Sequence, residues 1–354
     1  MKWPVYTQGE LARLLKNAVA ELDPAPSSIL VLIDQNLHQQ LEPLVQSCLD
    51  PYGMPYRLIG FEAFERHKSL AHLEELARLA VRFGTDRASV ILAIGGGVTS
   101  DLGGLLAAVL LRGIRWGAIP TSLLAMVDAA LGGKTAVDLP EGKNLIGAFH
   151  QPDFILCDID TLASLPHREW SCGLGELLKT ALISGPEMLA TLEQTDAQDL
   201  RQPSPFLLDL VAEAGQTKMR IVEEDPMESG IRKVLNLGHT FGHALETAAG
   251  HQDLAHGEAV GLGLLCACHL AEEMEVAEEA LTRRVDALLR KLSLPRQYPG
   301  ELPGPDRLRT LLLRDKKAES GRLDLVLPVK PGQCILLRKV DPVLAVTTLR
   351  EVLA

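Results

Sequence analysis

The chain has 354 residues, of which 47% are hydrophobic, so it can form a large core or two domains of ordinary size. Asp and Glu number 46 against 35 Lys and Arg, and the formal net charge of −11 argues against general binding to nucleic acid or anionic lipid. Residues 1–15 lack the apolar stretch of a signal peptide, and residues 102–126 contain Arg112 and Arg115, which disfavour a membrane span. The six cysteines show no CxxC pairing. We therefore expect a soluble, cytoplasmic protein.

The N-terminal part of the chain alternates between strand and helix patterns. Three short apolar runs, residues 29–34, 89–94 and 113–120, are typical of buried parallel strands. Residues 70–83 show helical spacing, with leucines on one stripe and charges opposite. Strands separated by helical segments predict an α/β domain with a parallel sheet.

The C-terminal part is mainly helical in pattern. Helices are predicted over residues 168–183, 205–222, 238–249, 257–273 and 278–292, and short strands over residues 323–328 and 334–338. We place the domain boundary between residues 158 and 159, so that an α/β domain (1–158) precedes a mainly helical domain (159–354). A ligand site is expected in the cleft between two such domains.

A glycine run follows the second predicted strand and opens a helix. At Gly95–Val98 the backbone can approach a diphosphate closely, and helix N–H groups would face the anion. The run is not GxGxxG, so a simple strand-to-helix turn is an equally good interpretation. Asp34 ends the first predicted strand and could bind a ribose hydroxyl, although capping of the next helix is the simpler explanation.

Three basic residues lie in glycine-punctuated sequence of this acidic chain. Lys134 and Lys143 each follow a glycine, and Arg112 stands between an apolar helix and the next strand. Such accessible charges can bind phosphate, although a solvated loop explains any one of them. Their grouping favours an anion site.

A second group of residues has the character of a metal site. His239 and His243 are i, i+4 neighbours on one helix face, His256 follows closely, and Glu176 lies in a helical GELLK segment. Two imidazoles and a carboxylate are a common donor set for a catalytic metal. A single helical histidine is more often a core residue, but four of the ten histidines fall within residues 239–256. Spacing alone leaves open which three of the four side chains bind.

Several polar residues lead into the histidine segment. Arg232 and Asn236 share a helical face with the histidines, and Lys218 and Glu228 precede them. A solvated charged face is the usual explanation for such residues taken singly.

In this order, the motifs resemble the 3-dehydroquinate synthase family. The matching segments, between about residues 90 and 317, are GGGVTSDLGG, LLRGIRWGAIPTSLLAMVDAALGGKTAV, GKNLIGAFHQP, LPHREWSCGLGELLK, LNLGHTFGHALE, HGEAVGLGL and DKK. The resemblance implies a Rossmann-like NAD-binding domain, a mostly helical metal-binding domain, and a small-molecule substrate. The implied reaction converts 3-deoxy-D-arabino-heptulosonate 7-phosphate to 3-dehydroquinate and phosphate. It proceeds by transient oxidation at C5, loss of phosphate, re-reduction, ring opening and intramolecular aldol closure.

The resemblance also implies roles for individual residues. The metal ligands, for Zn²⁺ or Co²⁺, are Glu176, His239 and His256. The implied NAD⁺ contacts are Asp34, Asn36, Glu65, Lys68, Gly96, Gly97, Val98, Asp101, Thr121, Ser122, Lys143, Thr161, Leu162 and Ser164. The implied catalytic residues are His243, Glu228, Lys134, Lys179, Arg112 and Asn236. The implied substrate-binding residues are Asp128, Asn144, Lys218, Arg232 and Lys316. A homodimer without nucleic-acid or membrane partners is also implied.

The chain departs from the common family pattern at positions that are neither basic nor metal-ligating. These are Phe64, Ser100, Ser122, Ala129, Ala130 and Asp138. Related sugar-phosphate cyclases, of the amino-dehydroquinate or 2-deoxy-scyllo-inosose synthase type, usually alter the GGKT segment, which is intact here. A polyol dehydrogenase using NAD and a metal, and a non-catalytic sensor of the same fold, are further alternatives.

Overall fold

The computed structural model describes residues 2–250, 253–313 and 321–353. The chain divides into two compact units, one of residues 1–165 and 202–219 and the other of residues 166–201 and 220–354. Residues 202–219 thus belong with the first unit, whereas the sequence predicts a single boundary between residues 158 and 159. Across the described ranges, no helix combines the length and apolar character needed to cross a lipid bilayer.

The described residues form ten strands and twelve α-helices. The strands are β1 (Val5–Thr7), β2 (Ile29–Asp34), β3 (Tyr56–Phe61), β4 (Val90–Gly95), β5 (Arg115–Pro120), β6 (Lys134–Leu139), β7 (Gly142–Phe149), β8 (Phe154–Asp158), β9 (Leu323–Lys330) and β10 (Gln333–Val340). The helices are α1 (Leu11–Ala20), α2 (Gln35–Leu49), α3 (Leu70–Phe83), α4 (Gly97–Val109), α5 (His167–Ser184), α6 (Pro186–Gln194), α7 (Pro205–Glu224), α8 (His239–Ala248), α9 (His256–Glu273), α10 (Leu281–Lys291), α11 (Pro305–Leu313) and α12 (Pro342–Leu353).

A six-stranded parallel sheet in the order β1-β8-β5-β4-β2-β3 forms the centre of the first unit. The predicted strands correspond to β2, β4 and β5, and the parallel α/β class is confirmed. The sequence analysis missed β1, β3 and β8. Two of these, β1 and β3, are the edge strands, where burial is incomplete and the apolar pattern is correspondingly weak.

Helices cover both faces of this sheet. Alternate residues of β2 and β4, such as Ile33 and Ile94, belong to a core that also contains Leu15 of α1 and Cys48 of α2. On the opposite face α4 lies so close that a Cβ on Gly103 would be 2.8 Å from the Cβ of Ala93. Burial on both faces explains why β2 and β4 are continuous apolar runs.

The antiparallel hairpin β6–β7 is the second feature of the first unit. It packs on α4 where that helix carries Gly104, whose Cβ would lie 2.4 Å from Cγ2 of Thr135. The sequence analysis singled out this segment for its glycines and lysines but did not predict the hairpin.

The second unit is mainly helical, as predicted. The predicted helices correspond to α5, α7, α8, α9 and α10, and α7 extends from the first unit into the second. The predicted strands near the C-terminus are β9 and β10, which form an antiparallel pair. Helices α6, α11 and α12 were not predicted.

Glycines bring three helix backbones of the second unit together. A Cβ on Gly175 of α5 would lie 2.0 Å from the carbonyl oxygen of Gly257, and one on Gly263 of α9 would lie 2.0 Å from that of Gly238. Larger residues cannot occupy such positions without a backbone shift. Each close approach is next to a predicted ligand, because Glu176 follows Gly175 and His239 follows Gly238.

Candidate functional site

Three predicted metal ligands meet in the second unit. Glu176 lies on α5, and His239 and His256 are the first residues of α8 and α9. One ligand atom from each lies within 4.8 Å of the other two. Oε1 of Glu176 is 3.4 Å from Nε2 of each histidine. We call these three residues the first cluster.

The spacing and the bonding of Glu176 both fit a bound cation. Its side chain is completely buried, and neither carboxylate oxygen accepts a hydrogen bond of normal geometry, although the Lys179 ammonium forms an ion pair with Oε2. Two donor atoms about 2.1 Å from one tetrahedral ion are about 3.4 Å apart, whereas hydrogen-bonded atoms are closer. The donor set of one carboxylate and two imidazoles therefore fits a divalent metal of the zinc class.

The charges of the first cluster are set by its neighbours. Burial raises the pKa of Glu176, but Lys179 and the imidazoles outweigh burial and hold that pKa well below its usual value. Burial, reinforced by Lys179, holds the pKa of His239 well below its usual value. Burial also lowers the pKa of His256, but the facing carboxylates of Glu176 and Glu246 raise it to about 10. A metal at His256 would therefore displace a proton.

Each imidazole of the first cluster has a partner on its other nitrogen. Nδ1 of His256 lies 3.2 Å from Oε2 of the buried Glu246, and Nδ1 of His239 lies 3.2 Å from the Leu237 carbonyl oxygen. Such partners fix the tautomer, so that Nε2 faces the Glu176 carboxylate. The sequence analysis did not identify Glu246, whose only signal is its place in the GHTFGHALE segment.

His243 lies beside the first cluster without joining it. Its ring centroid is 5.2 Å from that of His239 and 6.0 Å from that of His256. The group of atoms with metal-ligand spacing contains Glu176 and the other two histidines. The geometry thus distinguishes His243 from its i, i+4 neighbour, which the spacing in the sequence could not do.

A polar loop carries the remaining predicted residues of the second unit. Asn236 donates a 2.7 Å hydrogen bond to Glu228, and the buried guanidinium of Arg232 donates to the Pro226 carbonyl oxygen at 2.7 Å. Asp225 accepts backbone N–H bonds across the loop, from Ser229, Gly230 and Arg232. Burial opposes ionisation, but these bonds lower the pKa of Asp225 to about 2. Asp225 was not predicted, because a loop-capping role leaves no spacing signal.

The glycine turn joins β4 to α4 in the first unit. A Cβ on Gly95 would lie 2.3 Å from Oγ1 of Thr99, and one on Gly97 would lie 3.1 Å from the Cβ of Ala129. Oγ1 of Thr99 is buried and has no hydrogen-bond partner. A 13-residue helix begins at this turn with Gly97, so neither Gly96 nor Gly97 has a side chain that would cover its first N–H groups. The arrangement fits a diphosphate.

Asp34 caps a helix, as the simpler interpretation of the sequence proposed. Its Oδ1 accepts a 3.0 Å hydrogen bond from the backbone of Asn36, at the start of α2. Burial raises the pKa of Asp34, and the bonds from Asn36 lower it only in part. The second carboxylate oxygen is compatible with a ribose contact.

Five predicted residues converge on the hairpin β6–β7. Nζ of Lys68 lies 2.5 Å from Oδ2 of Asp101 and 2.5 Å from Oδ1 of Asn144, and Lys143 pairs with Glu65 at 3.2 Å. These residues form the second cluster, defined as Glu65, Lys68, Asp101, Lys143 and Asn144. Asn144, predicted to bind substrate, thus lies among residues predicted to bind the cofactor.

Burial and the pairing of Lys68 with Asp101 act in opposite directions on the charges of the second cluster. It raises the pKa of Asp101 to about 6, and the opposing effect of Lys68 is smaller. Burial lowers the pKa of Lys68, but Asp101 and Glu65 produce a net increase. The carboxylate of Asp138 also raises the pKa of Asp101, and its Oδ1 accepts a hydrogen bond from the backbone N–H of Asn144 at 2.7 Å.

Three predicted site residues have left-handed backbone conformations that residues other than glycine rarely adopt. The φ angles are +71° at Arg112, +54° at Asn144 and +59° at Glu228. Each such residue costs about 1–2 kcal/mol. Strain of this kind is concentrated at functional sites.

The remaining predicted residues are placed as follows. Nζ of Lys218 bonds Asp128 at Oδ1 (2.8 Å) and at its carbonyl oxygen (2.6 Å), and Lys134 begins β6 with an exposed side chain. Thr121 and Ser122 follow β5, and Val98 lies in the first turn of α4. Thr161, Leu162 and Ser164 lie in a short 3-10 helix, Ile159–Ser164. Lys316 lies outside the described residues.

Models of known protein families match most of the chain. The model described as 3-dehydroquinate synthase N-terminal matches residues 58–172, and the model described as 3-dehydroquinate synthase C-terminal matches residues 173–318. The 3-dehydroquinate synthase of Symbiobacterium thermophilum is 40% identical over 342 residues, covering 96% of this chain and 95% of that protein.

Solved structures with the same fold include two cyclases. One is ValA, the 2-epi-5-epi-valiolone synthase of Streptomyces hygroscopicus subsp. jinggangensis, with NAD⁺ and Zn²⁺ bound. It is 28% identical, has a TM-score of 0.87, and the match covers 99% of this chain and 97% of that one. The other is 2-deoxy-scyllo-inosose synthase with carbaglucose-6-phosphate, NAD⁺ and Co²⁺. It is 26% identical, has a TM-score of 0.84, and the match covers 98% and 96%.

Proposed function

The chain belongs to the 3-dehydroquinate synthase family, and we propose that it converts 3-deoxy-D-arabino-heptulosonate 7-phosphate to 3-dehydroquinate and phosphate with the residues described above. It is then a carbon–oxygen lyase acting on a phosphate ester in the route to chorismate and the aromatic amino acids. The observation that supports this most directly is the buried Glu176 carboxylate, whose Oε1 faces two imidazoles at 3.4 Å and accepts no hydrogen bond.

In this proposal the first cluster holds the metal. Glu176, His239 and His256 bind one Zn²⁺ or Co²⁺ and leave a coordination position for a substrate oxygen. When bound, the metal supplies Lewis-acid polarisation of the C5 oxygen. Glu246 and the Leu237 carbonyl keep the two imidazoles oriented.

The first unit binds the cofactor, NAD⁺. The glycine turn and the first N–H groups of α4 hold the diphosphate. Hydride uptake from C5 and its later return are the chemistry that NAD⁺ supplies when bound. We propose that Glu65, Lys68, Asp101, Lys143 and Asp34 bind the rest of the nucleotide. We propose the same roles for the other predicted contacts, which are Asn36, Thr121, Ser122, Thr161, Leu162 and Ser164. Within the second cluster Asn144 is the exception, because it is proposed, with Asp128, to bind the substrate.

Basic side chains bind the phosphate and carboxylate of the substrate. The residues proposed for this role are Arg112, Lys134, Lys179, Lys218 and Arg232. In an acidic chain such residues supply the positive charge that a doubly anionic sugar needs.

Two residues of the second unit are proposed to move protons at the C5 hydroxyl. His243 lies beside the metal ligands, and Glu228 accepts a hydrogen bond from Asn236 that orients its carboxylate. Acid–base help of this kind contributes about 10²–10⁴-fold. The leaving phosphate can take the C6 proton itself, so no residue is assigned to that transfer.

Three broader expectations are also proposals. The functional division is an NAD-binding domain over residues 1–158 and a metal- and substrate-binding domain over residues 159–354. The six cysteines are free thiols, which supports a reducing cytoplasmic location. The expected homodimer can be checked by light scattering on the purified protein.

A product analysis tests the function. The purified protein is incubated with the heptulosonate phosphate, NAD⁺ and Zn²⁺, and phosphate, NADH and the carbocyclic product are measured. We expect one phosphate for each 3-dehydroquinate and no accumulation of NADH. Accumulation of NADH when a polyol is supplied as the substrate would indicate a dehydrogenase. A faster reaction with glucose 6-phosphate, whose carba analogue is bound in the 2-deoxy-scyllo-inosose synthase structure, indicates a different cyclase.

A further inference from the structure

A second group of potential metal ligands lies at the opposite end of α9 from His256. It consists of His269 and Glu273 on α9 and Glu351 on α12, with one ligand atom of each within 4.8 Å of the others. Thirteen residues of helix separate His269 from His256, a rise of about 20 Å. The two groups are therefore too far apart to share one ion.

The spacing of this group resembles that of the first cluster. Nε2 of His269 lies 3.5 Å from Oε1 of Glu273 and 3.9 Å from Oε2 of Glu351. Both distances exceed those of hydrogen bonds, and the one to Glu273 is near the separation of about 3.4 Å expected for two ligands of one ion. The His269 side chain is 31% exposed, but its Nε2 atom is shielded from solvent and has no hydrogen-bond partner among the described residues.

The charges of the group also favour a cation. In the part of the chain that the structure describes, neither Glu273 nor Glu351 forms an ion pair outside this group. Two carboxylates facing one imidazole leave excess negative charge, even with the imidazole protonated. A dication would neutralise this charge and bond the buried Nε2.

We propose that His269, Glu273 and Glu351 form a second binding site for a divalent transition metal, which water molecules complete. One imidazole with two carboxylates suits Zn²⁺, Co²⁺ or Mn²⁺, whereas Mg²⁺ prefers oxygen ligands and retains its water. The ion joins the last turns of α9 and α12. It therefore stabilises the C-terminal helix against the helix that begins with His256.

Crossed variants test the second site with Zn²⁺ as the probe. Calorimetric titration of the metal-free full chain should show two equivalents of Zn²⁺ per chain. His269→Gln should retain one equivalent, together with wild-type turnover at saturating Zn²⁺. His239→Ala should also retain one equivalent, and the double variant should retain none. An excess of Mg²⁺ should not displace the ion that His239→Ala binds.

His38→Gln is the matched control, because His38 forms an i, i+4 pair with Glu42 at 3.5 Å without a third ligand in the described residues. It should bind Zn²⁺ like the wild type. If His269→Gln folds poorly, Glu351→Gln is the second test, because Glu351 is exposed. The Zn²⁺ affinity of this second site should fall at least tenfold in Glu351→Gln. One equivalent in the wild type, or two in His269→Gln, would overturn the proposal. A Glu351→Gln variant with altered stability but unchanged Zn²⁺ binding would also overturn the proposal, since it would indicate a simple imidazolium–carboxylate ion pair.

Discussion

Two buried carboxylates, each beside a lysine, have opposite electrostatic properties in the two units. Lys179 and two imidazoles hold the pKa of Glu176 well below its usual value. Burial raises the pKa of Asp101 to about 6 and outweighs Lys68, and the carboxylates of Glu65 and Asp138 add a smaller increase. The comparison teaches that burial alone does not set the charge of a site. The balance between burial and the neighbouring charges decides it.

The two sites also differ in how their polar atoms are used. Lys179 pairs with Oε2 of Glu176, but Oε1 accepts no hydrogen bond and faces two imidazoles at 3.4 Å, an arrangement that fits a bound cation. In the second cluster the ammonium of Lys68 already contacts both Asp101 and Asn144. We therefore expect substitutions in the first cluster to alter metal binding, and substitutions in the second to alter stability and cofactor binding.

The largest effect is expected for His239→Ala. Removing one of three protein ligands should weaken Zn²⁺ binding by more than about 100-fold and abolish turnover, since the described residues offer no fourth ligand at this group. Metal content after dialysis and phosphate release measure both effects. His243→Ala is the control on the same helix, with metal retained and turnover reduced by about 10²–10⁴-fold. The opposite result, with metal lost from His243→Ala and kept by His239→Ala, would reverse the ligand assignment.

Lys68→Met tests the second cluster. It leaves the buried Asp101 without its cation, which should lower the free energy of unfolding by about 3–5 kcal/mol. Denaturation in urea measures this change. The double variant Lys68→Met/Asp101→Asn should recover most of the loss, because no buried charge then remains unpaired. Equal stability of the single and double variants would show that the Lys68–Asp101 ion pair is unimportant. The Zn²⁺ affinity should not change in either variant.

Glu246→Gln sharpens the account of the first cluster. The carboxylate that accepts from Nδ1 of His256 should matter for metal binding, and its loss should weaken Zn²⁺ affinity by about 10–100-fold. Titration against a competing chelator measures the affinity. Glu258→Gln is a nearby control, because Glu258 bonds the Ala255 N–H rather than a ligand. Comparable losses in both variants would refute a specific role for Glu246.

The smallest effect is a pair of opposite pH dependences. The folded-state pKa of Asp101 is raised to about 6, so its contribution to stability is greatest below pH 4 and decreases as the pH rises to about 6. The folded-state pKa of Asp225 is lowered to about 2, so its contribution is present above pH 4 and is lost as the pH falls towards 2. Both pH dependences are measured from the free energies of unfolding of Asp101→Asn and Asp225→Asn, each compared with wild type across this pH range. Dependences of the same sign would contradict the comparison.

The sequence allowed prediction of features that depend on local pattern. Continuous apolar runs predicted β2 and β4, and helical spacing predicted α3, α5 and α9, because burial imposes those periods directly. The glycine turn and the histidine segment were likewise visible as motifs. The pairing of Glu176 with two distant histidines came from the family resemblance.

Features that depend on contacts between distant segments were not predictable in this way. Glu246 contacts His256 because glycines let α8 and α9 approach closely, and spacing does not encode that approach. Asp225 acts through backbone N–H groups, which any loop sequence offers. The place of residues 202–219 in the first unit likewise depends on long-range packing.

Anomalous diffraction from crystals grown with Zn²⁺ and NAD⁺ tests the central claim most directly. The account predicts a peak about 2.0–2.2 Å from a carboxylate oxygen of Glu176 and from Nε2 of both His239 and His256. His243 should lie outside the coordination shell. Bound zinc with no peak at this position, or a peak that has His243 in place of one of the three ligands, would contradict it.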